Sequence, residues 1–262
     1  MKHFHKKGGQ QAVAPSANRG FDEAPYLLRN GRPNVVKRCG HHTDMDTRKF
    51  YDRISAAYDF MADGSEGECR DQGLRMLSVV TGERVLEIGF GTGRALPVLA
   101  AAAGPSGRVV GIDISSGMLA VARRAAQNAA STDITFVHGD ARSLCFREAV
   151  FDAVFMCFTL ELFEPADAAI ALTQISRVLR QTGRLAVVAM AETTNSNAVT
   201  DIYKWLHGHF PHFIDCRPIN VIGLLENGGF HMTDAQRMSV WGLSVVCVVG
   251  VKAEAVPSKH SG

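Results

Sequence analysis

Apolar and polar positions alternate along most of the chain in blocks that predict strands and helices in turn. Short apolar runs typical of buried strands are each followed by a longer segment with apolar residues at helical spacing. Five such strands are predicted, namely RVLEIG, RVVGIDI, ITFVHGD, FDAVFMCFT and GRLAVVAMA. Two more, FHMTDAQRMSV and LSVVCVVGVKA, are joined by a short link that favours a hairpin. The pattern predicts a doubly wound α/β sheet, mostly parallel, with an antiparallel C-terminal hairpin strand.

The first 40 residues lack this periodicity. They hold eight basic and two acidic residues and are rich in glycine, proline and asparagine, which predicts a flexible basic arm. We therefore divide the chain into an arm over 1–46, one domain over 47–252 and a tail over 253–262. The arm suits a solvated tail, but it could also contact a polyanion or an anionic membrane. Because it shows no period of buried positions, its removal is expected to leave the fold intact.

Composition narrows the class of protein. Apolar residues make up 46% of the chain, and the net charge of +2 does not call for a nucleic-acid partner. Six cysteines are scattered without a CxxC pair, which favours reduced thiols and a cytoplasmic protein. The longest uncharged apolar run, 238–251, is shorter than the roughly 18 residues that a transmembrane helix needs. The soft ligands of CGHH, 39–42, have no second pair at zinc spacing, so no metal is expected.

A glycine-rich turn follows the first strand of the regular region, in VLEIGFGTGRAL. Its pattern is E-x-G-x-G-x-G, from Glu87 through Gly89 and Gly91 to Gly93. The dinucleotide pattern G-x-G-x-x-G/A fails from either starting glycine, and no Gly-Lys-Ser/Thr follows as in a P-loop. An acid two residues before the first glycine would repel a phosphate and suits a ligand with a positive end.

Two more acids stand at the ends of the next strands. Asp113 can accept hydrogen bonds from two ribose hydroxyls, and Asp140 can accept one from an adenine amino group. Ile114 and Met118 would flank the adenine ring. These groups predict S-adenosylmethionine, a nucleoside with an ammonium and a sulfonium and no phosphate. A helix cap remains open for Asp113, and a loop carboxylate for Asp140.

Six segments carry a resemblance to a known family: FYDRISAAYD, VLEIGFGTG, VVGIDISSGML, GDARSL, FDAVFMCFTLE and RVLRQTGRLAVV. Over about 47–252 the chain resembles the class I S-adenosylmethionine-dependent methyltransferases, whose fold is Rossmann-like. It is most similar to the branch with the ubiquinone/menaquinone-biosynthesis C-methyltransferases and the soluble phosphatidylethanolamine N-methyltransferases. One departure is RQTGR, where the family more often has a proline-glycine turn.

The resemblance implies a set of cofactor contacts. They are Glu87, Gly89, Gly91, Asp113, Ile114, Asp140, Ala141 and Phe158, with Tyr51 and Tyr58 of the N-terminal helix as a lid. Phe90, Thr92, Gly93 and Met118 are placed in the same predicted site. Tyr51 and Tyr58 lie seven residues apart on one helical face, so a packing stripe remains an alternative for them.

The sequence gives fewer indications of where the methyl acceptor binds. Glu161 follows the fourth strand of the regular region in an apolar setting that could raise its pKa, and His207 lies in a histidine-rich segment. Both are candidate general bases, although Glu161 could also anchor a substrate or cap a helix. The expected acceptor is a small or lipid-like molecule bound near the segment 192–222. The function predicted is methyl transfer to a carbon, nitrogen or oxygen atom; the alternative is a non-catalytic cofactor-binding regulatory module with a polyanion-binding arm.

Overall fold

The computed structural model describes residues 35–39, 65–128, 134–192, 218–240 and 243–253. The strands in these ranges are β1 Val35–Cys39, β2 Arg84–Ile88, β3 Arg108–Asp113, β4 Ile134–Gly139, β5 Phe151–Cys157, β6 Leu179–Met190, β7 Phe230–Val240 and β8 Leu243–Lys252. The α-helices are α1 Ser65–Leu77, α2 Leu96–Ala103, α3 Ser116–Asn128, α4 Pro165–Val178 and α5 Val221–Asn227. Single 3-10 turns cover Ala141–Ser143 and Leu160–Leu162.

The strands form one sheet in the order β1-β4-β3-β2-β5-β6-β8-β7. The first six strands along the chain pair in parallel, whereas β8 is antiparallel to both β6 and β7. The strand order reverses at β2, where Val85 pairs with Val109 of β3 on one side and Ala153 of β5 on the other. The predicted doubly wound, mostly parallel sheet with an antiparallel C-terminal hairpin is confirmed.

The central strands are apolar along their whole length because both faces of the sheet are covered. Successive residues of β2 enter opposite layers: Val85 packs in one hydrophobic cluster, and Leu86 and Ile88 in the other. Helices α1 to α3 contribute to the layer of Val85, and α4 and α5 to the opposite layer, through residues such as Leu172 and Leu225. The alternation of strand and helix along the sequence therefore becomes a three-layer molecule.

Helix α1 is fixed to the sheet at its C-terminal end. The Arg184 guanidinium of β6 donates to the backbone carbonyls of Leu77 and Ser78 and forms an ion pair with Glu83, with an Nη1–Oε1 distance of 2.7 Å. The helix crosses the sheet closely at Gly73, where an added Cβ would lie 2.3 Å from Cγ2 of Val188. These contacts set the direction in which the first turn of α1 points.

The structure differs from the sequence prediction at several boundaries. Strand β1 lies within the predicted arm 1–46, yet it pairs with β4, with Val35 opposite Phe136. Strand β6 begins at Leu179 rather than at Gly183, and its register with β5 shifts between Leu179 and Arg184, in the RQTGR segment. The predicted helices over 47–61 and 203–210 lie outside the described residues. Within the described ranges, no helix is both long enough and apolar enough to cross a membrane.

Candidate functional site

The predicted site residues that the structure describes gather at the carboxyl ends of β2, β3, β4 and β5. Gly89 follows β2, Asp113 ends β3, Asp140 follows β4, and Glu161 lies in the 3-10 turn after β5. Because the strand order reverses at β2, a crevice for a ligand opens at this edge between β2 and its neighbours.

The glycines of the turn after β2 serve different purposes. All three have positive φ: +69° at Gly89, +54° at Gly91 and +83° at Gly93. A Cβ on Gly89 would lie 2.4 Å from the side chain of Thr159, so this glycine lets the β5 turn approach closely. A Cβ on Gly91 would meet no atom of the described residues within 4 Å. The Cα side of Gly91 therefore faces space that is open among these residues, as a turn that receives a ligand does.

Asp113 connects this turn to the start of α3. Its side chain is buried, and it accepts hydrogen bonds from the backbone N–H of Gly91 at 2.8 Å and of Ser115 at 2.8 Å. Ser115 caps α3, its Oγ accepting from the N–H of Met118 at 3.2 Å. The helix cap is thus made by Ser115, and Asp113 holds the glycine turn against the end of β3.

Asp140 is engaged by an arginine that sequence reasoning missed. The Arg142 guanidinium pairs with Asp140 at 2.7 Å and with Asp167 of α4 at 2.6 Å, and these hydrogen bonds raise the pKa of Arg142. Asp140 also accepts from the Arg142 N–H at 2.9 Å, as the cap of a 3-10 turn. The adenine contact predicted for Asp140 would therefore be made by a carboxylate whose orientation Arg142 fixes. The Asp-x-Arg spacing in GDAR was the sequence feature from which this ion pair could have been predicted.

The apolar members of the predicted site divide into core and site positions. Phe90 packs edge-on against Phe136, with ring centroids 5.7 Å apart, so its ring belongs to the core. Met118 and Ala141 are buried, while Ile114 and Thr92 are half-buried. Phe158 is half-buried and has φ +48°, a strained value for a residue with a Cβ, immediately after β5.

Glu87 is buried in β2, and one of its carboxyl oxygens has no partner in the part of the chain that the structure describes. Its side chain is 3% exposed, and the oxygen concerned is Oε2. Burial raises its pKa well above the ordinary value of 4.5, Asp113 raises it further, and Arg70 lowers it. A buried carboxyl oxygen without a donor is costly, so the site is suited to a ligand that supplies a donor or a positive charge.

Glu161 is the second buried acid. It is 1% exposed; Oε1 accepts from the backbone N–H of Met190 at 3.2 Å, and no described residue donates to Oε2. Burial raises its pKa from 4.5 to about 7, and Glu66 adds to the increase, whereas hydrogen bonds from the backbone of Glu161 and Met190 lower it. The raised pKa that its apolar sequence context suggested is thus found.

Two further groups were not foreseen. Glu66, in the first turn of α1, has a buried Oε1 that finds no hydrogen-bond partner among the described residues, and burial raises its pKa to about 7. Burial also raises the pKa of the Cys157 thiol at the end of β5, with further contributions from Glu87, Glu161 and Glu66. The three carboxyls thus all act electrostatically on the thiol at the end of β5. Neither residue belongs to a recognisable motif, so only the tertiary packing of α1 could identify them.

Other predicted positions cannot be compared with the structure. Tyr51, Tyr58 and His207 lie outside the described residues and stay predictions. Of the segment 192–222, residues 192 and 218–222 are described. Ile219 bridges to Ala191, next to the Met190 amide that binds Glu161. A cavity of about 210 Å³ begins there, and it is lined by Ala191, Glu192, Ile219, Asn220, Val221, Ile222, Arg237 and Val246.

Comparison with known proteins agrees with this geometry. Residues 85–183 match a family model described as a methyltransferase domain. A demethylmenaquinone methyltransferase from Clavibacter sepedonicus is 36% identical over 161 residues, which are 60% of this chain and 60% of that protein. The protein of the same name from Staphylococcus aureus is 30% identical over 174 residues, 66% of this chain and 67% of the relative. The match thus spans about three fifths to two thirds of these relatives' length.

Solved structures share the fold at lower identity. Magnesium protoporphyrin IX methyltransferase from Synechocystis, solved with S-adenosylhomocysteine, superposes with a TM-score of 0.63 at 18% identity. The match covers 80% of this chain and 100% of that one. At this identity the likeness establishes the fold.

Proposed function

Since the chain belongs to the class I S-adenosylmethionine-dependent methyltransferases, in the branch of the ubiquinone/menaquinone-biosynthesis enzymes, we propose that it methylates a small-molecule acceptor. One observation carries the proposal: a glycine turn facing open space stands among buried strand-end acids at the reversal of the sheet. This arrangement favours a ligand that is polar, partly cationic and free of phosphate.

The residues present fit S-adenosylmethionine. Glu87 Oε2 is buried without a donor, which suits the ammonium group of the cofactor. Gly91 leaves room for a ligand against its backbone, and Asp113 stands beside it at the end of β3 for the ribose hydroxyls. Asp140, oriented by Arg142, remains the candidate for the adenine amino group.

The cofactor, when bound, supplies an activated methyl group on a sulfonium. The chain's own task is then to bind the two reactants in line, to exclude water and to handle the proton of the acceptor. Thr159 and Gly89 keep the turns after β2 and β5 in contact, which fixes the floor of the site. Glu161, with one oxygen held by Met190 and the other without a partner, is the proposed general base; His207 stays a second candidate.

The acceptor is proposed to be quinone-like. The relatives from Clavibacter sepedonicus and Staphylococcus aureus are named for methylation of demethylmenaquinone. The cavity at the end of β6 has an apolar wall of Ile219, Val221 and Ile222, with Arg237 at its polar side, and suits a ring with polar substituents. A cytoplasmic location remains a prediction from the scattered spacing of the cysteines in the sequence. No observation favours the regulatory alternative.

Binding and turnover test the proposal in two stages. Calorimetry should detect S-adenosylmethionine and S-adenosylhomocysteine but not NAD. Transfer of a tritiated methyl group to a short-chain demethylmenaquinol should follow. Tight NAD binding without S-adenosylmethionine binding would contradict the cofactor assignment, and binding without transfer would contradict the acceptor.

The role of Asp113 gives a sharper measurement. Replacing Asp113 by Ala should weaken S-adenosylmethionine binding about 10- to 100-fold, since charge-assisted hydrogen bonds contribute roughly 1.5–3 kcal/mol. The exposed Asp234 of β7 offers a matched control, and Asp234→Ala should bind as the parent does. Equal affinities of the two variants would show that the ribose lies elsewhere.

A further inference from the structure

Arg142 lies between two carboxylates at the edge of the sheet that carries the candidate cofactor site. Its guanidinium pairs at 2.7 Å with Asp140, which follows β4, and at 2.6 Å with Asp167, in the first turn of α4. Helix α4 packs against the 3-10 turn that contains Arg142. The two ion pairs therefore connect the loop after β4 to the helix layer beside it.

Both oxygens of the Asp140 carboxylate bind to Arg142. Oδ1 accepts from the backbone N–H at 2.9 Å and from Nε at 3.1 Å, and Oδ2 accepts from Nε at 3.0 Å and from Nη2 at 2.7 Å. Three N–H groups, on the backbone nitrogen, Nε and Nη2, thus point at one carboxylate. A guanidinium that binds both oxygens fixes the plane of the carboxylate as well as its position, which a single donor does not.

These contacts limit what Asp140 can bind next. Its side chain is buried, and an ionised carboxylate offers about four acceptor sites and no donor. With the three N–H groups of Arg142 in place, the carboxylate has room for about one more donor. Asp140 therefore favours a ligand edge that presents a single N–H to it, and it disfavours a carbonyl oxygen at the same position.

We infer that Arg142, anchored by Asp167, is a specificity-determining residue through which the site selects a 6-amino purine over a 6-oxo purine. The inference rests on the proposed function and concerns the base of the cofactor, not the methyl acceptor. Arg142 is a positioning residue, because it acts through Asp140, whose remaining acceptor site takes the N–H of the exocyclic amino group. A 6-oxo group would place a second acceptor against the carboxylate and leave both without a donor.

A second arginine–aspartate pair lies at the opposite edge of the sheet and provides a matched control. Arg180 pairs with Asp152, near the amino end of β5, and Asp152 also accepts from the backbone N–H of Arg84 at the start of β2, at 2.8 Å. This pair joins the starts of strands, whereas the pair of Arg142 lies at their carboxyl ends. Loss of the Arg180 side chain thus removes the same kind of interaction away from the site.

The test compares two ligands on the full chain and needs no methyl acceptor. The ligands are S-adenosylhomocysteine and its 6-oxo analogue, S-inosylhomocysteine, and calorimetry gives their dissociation constants for the parent, Arg142→Met, Asp167→Asn and Arg180→Met. Methionine removes the guanidinium but keeps the backbone N–H that caps the 3-10 turn. The quantity compared is the ratio of the two dissociation constants, which a loss of folding stability alone does not change.

The expected ratios separate selection of the base from a structural role. The parent should bind the 6-amino ligand about 100-fold or more tightly than the 6-oxo ligand. In Arg142→Met the ratio should fall about tenfold or more, because Asp140 can then turn and admit a carbonyl oxygen through a bridging water. In Asp167→Asn it should fall by about two- to fivefold, since a partly exposed ion pair contributes less. Arg180→Met should keep the ratio of the parent.

Several outcomes would overturn the inference. A parent-like ratio in Arg142→Met would do so, as would an equal fall in Arg180→Met, and a parent-like ratio in Asp167→Asn would refute the anchoring by α4. If the parent binds both ligands equally well, Asp140 does not read the base, and the inference fails while the cofactor assignment stands. If the parent binds neither S-adenosylhomocysteine nor S-adenosylmethionine, the proposed function itself is wrong, and the inference falls with it.

Discussion

At the scale of single residues, Glu161 shows how a site can cost the protein stability. Its pKa is about 7 in the folded chain, against an ordinary value of 4.5, so the folded state binds the proton more tightly than the unfolded state. Protonation of Glu161 therefore stabilises the folded state fully at pH values below the pKa of the unfolded state. This stabilisation is lost as the pH rises through the pKa of the folded state. An ionised Glu161 therefore destabilises the folded state in alkaline solution.

Replacing Glu161 by Gln should remove the destabilisation that ionisation causes. Gln keeps an oxygen for the Met190 N–H but does not ionise. Relative to the parent, the variant should gain about 2 kcal/mol in unfolding free energy between pH 5 and pH 8. Urea denaturation at the two pH values measures this gain, with Glu164→Gln, at an exposed position nearby, as the control. A gain that does not depend on pH would mean that Glu161 ionises normally.

The location of site residues was predictable where the sequence places them beside a recognisable turn. Glu87, Asp113 and Asp140 each follow from their position at a strand end, because parallel strands bring those ends to one edge. Glu66 and Arg142 were missed for a physical reason. The first acts through the crossing of α1 over the sheet, and the second through an ion pair with Asp167 of α4. Neither relation is encoded in local spacing.

At the scale of elements, the turn after β2 can be tested with a natural pair of glycines. Gly91 and Gly229 both have positive φ, +54° and +80°, and neither would bring a Cβ within 4 Å of another atom. Alanine at either position should cost about 1 kcal/mol in stability through backbone strain. If Gly91 borders the cofactor, Gly91→Ala alone should weaken S-adenosylmethionine binding, by about tenfold or more.

Calorimetry measures the affinity of both variants for S-adenosylmethionine, and thermal denaturation measures their stability. Similar losses of stability with unequal losses of affinity would support the placement of the ligand beside Gly91. Equal affinities would mean that the open space at Gly91 is ordinary solvent.

The elements themselves were predicted better than their ends. The strands of the regular region were foreseen because buried parallel strands form continuous apolar runs, as in β5 and β6. Strand β1 was missed because its sequence, VVKRC, is short and carries two adjacent cations. Pairing with β4, not local pattern, makes it a strand. Pairing with a neighbouring strand also explains the earlier start of β6, because RQTGR continues that strand through a register shift against β5.

At the scale of the whole molecule, β1 changes what truncation should do. The sequence alone suggests that residues 1–40 can be removed without effect, but Val35–Cys39 pairs with β4 along the edge of the sheet. We expect a chain that begins at residue 35 to keep its melting temperature, and one that begins at residue 41 to melt several degrees lower, because the β4 edge loses its backbone partners. Thermal denaturation of the two truncations measures this. Equal melting temperatures would show that the β1 pairing contributes little.

The place of β8 between β6 and β7 bears on how the chain folds as it is made. Parallel strands β2 to β6 can assemble as each successive unit leaves the ribosome, but β6 gains its second neighbour only when Leu185 meets Gly250. Until then, the edge of a strand whose second half, Leu185–Met190, is entirely apolar lies open. A chain whose synthesis stops before residue 243 would present that edge to other nascent chains. We therefore expect the C-terminal hairpin to protect the nascent protein from aggregation as well as to complete its sheet.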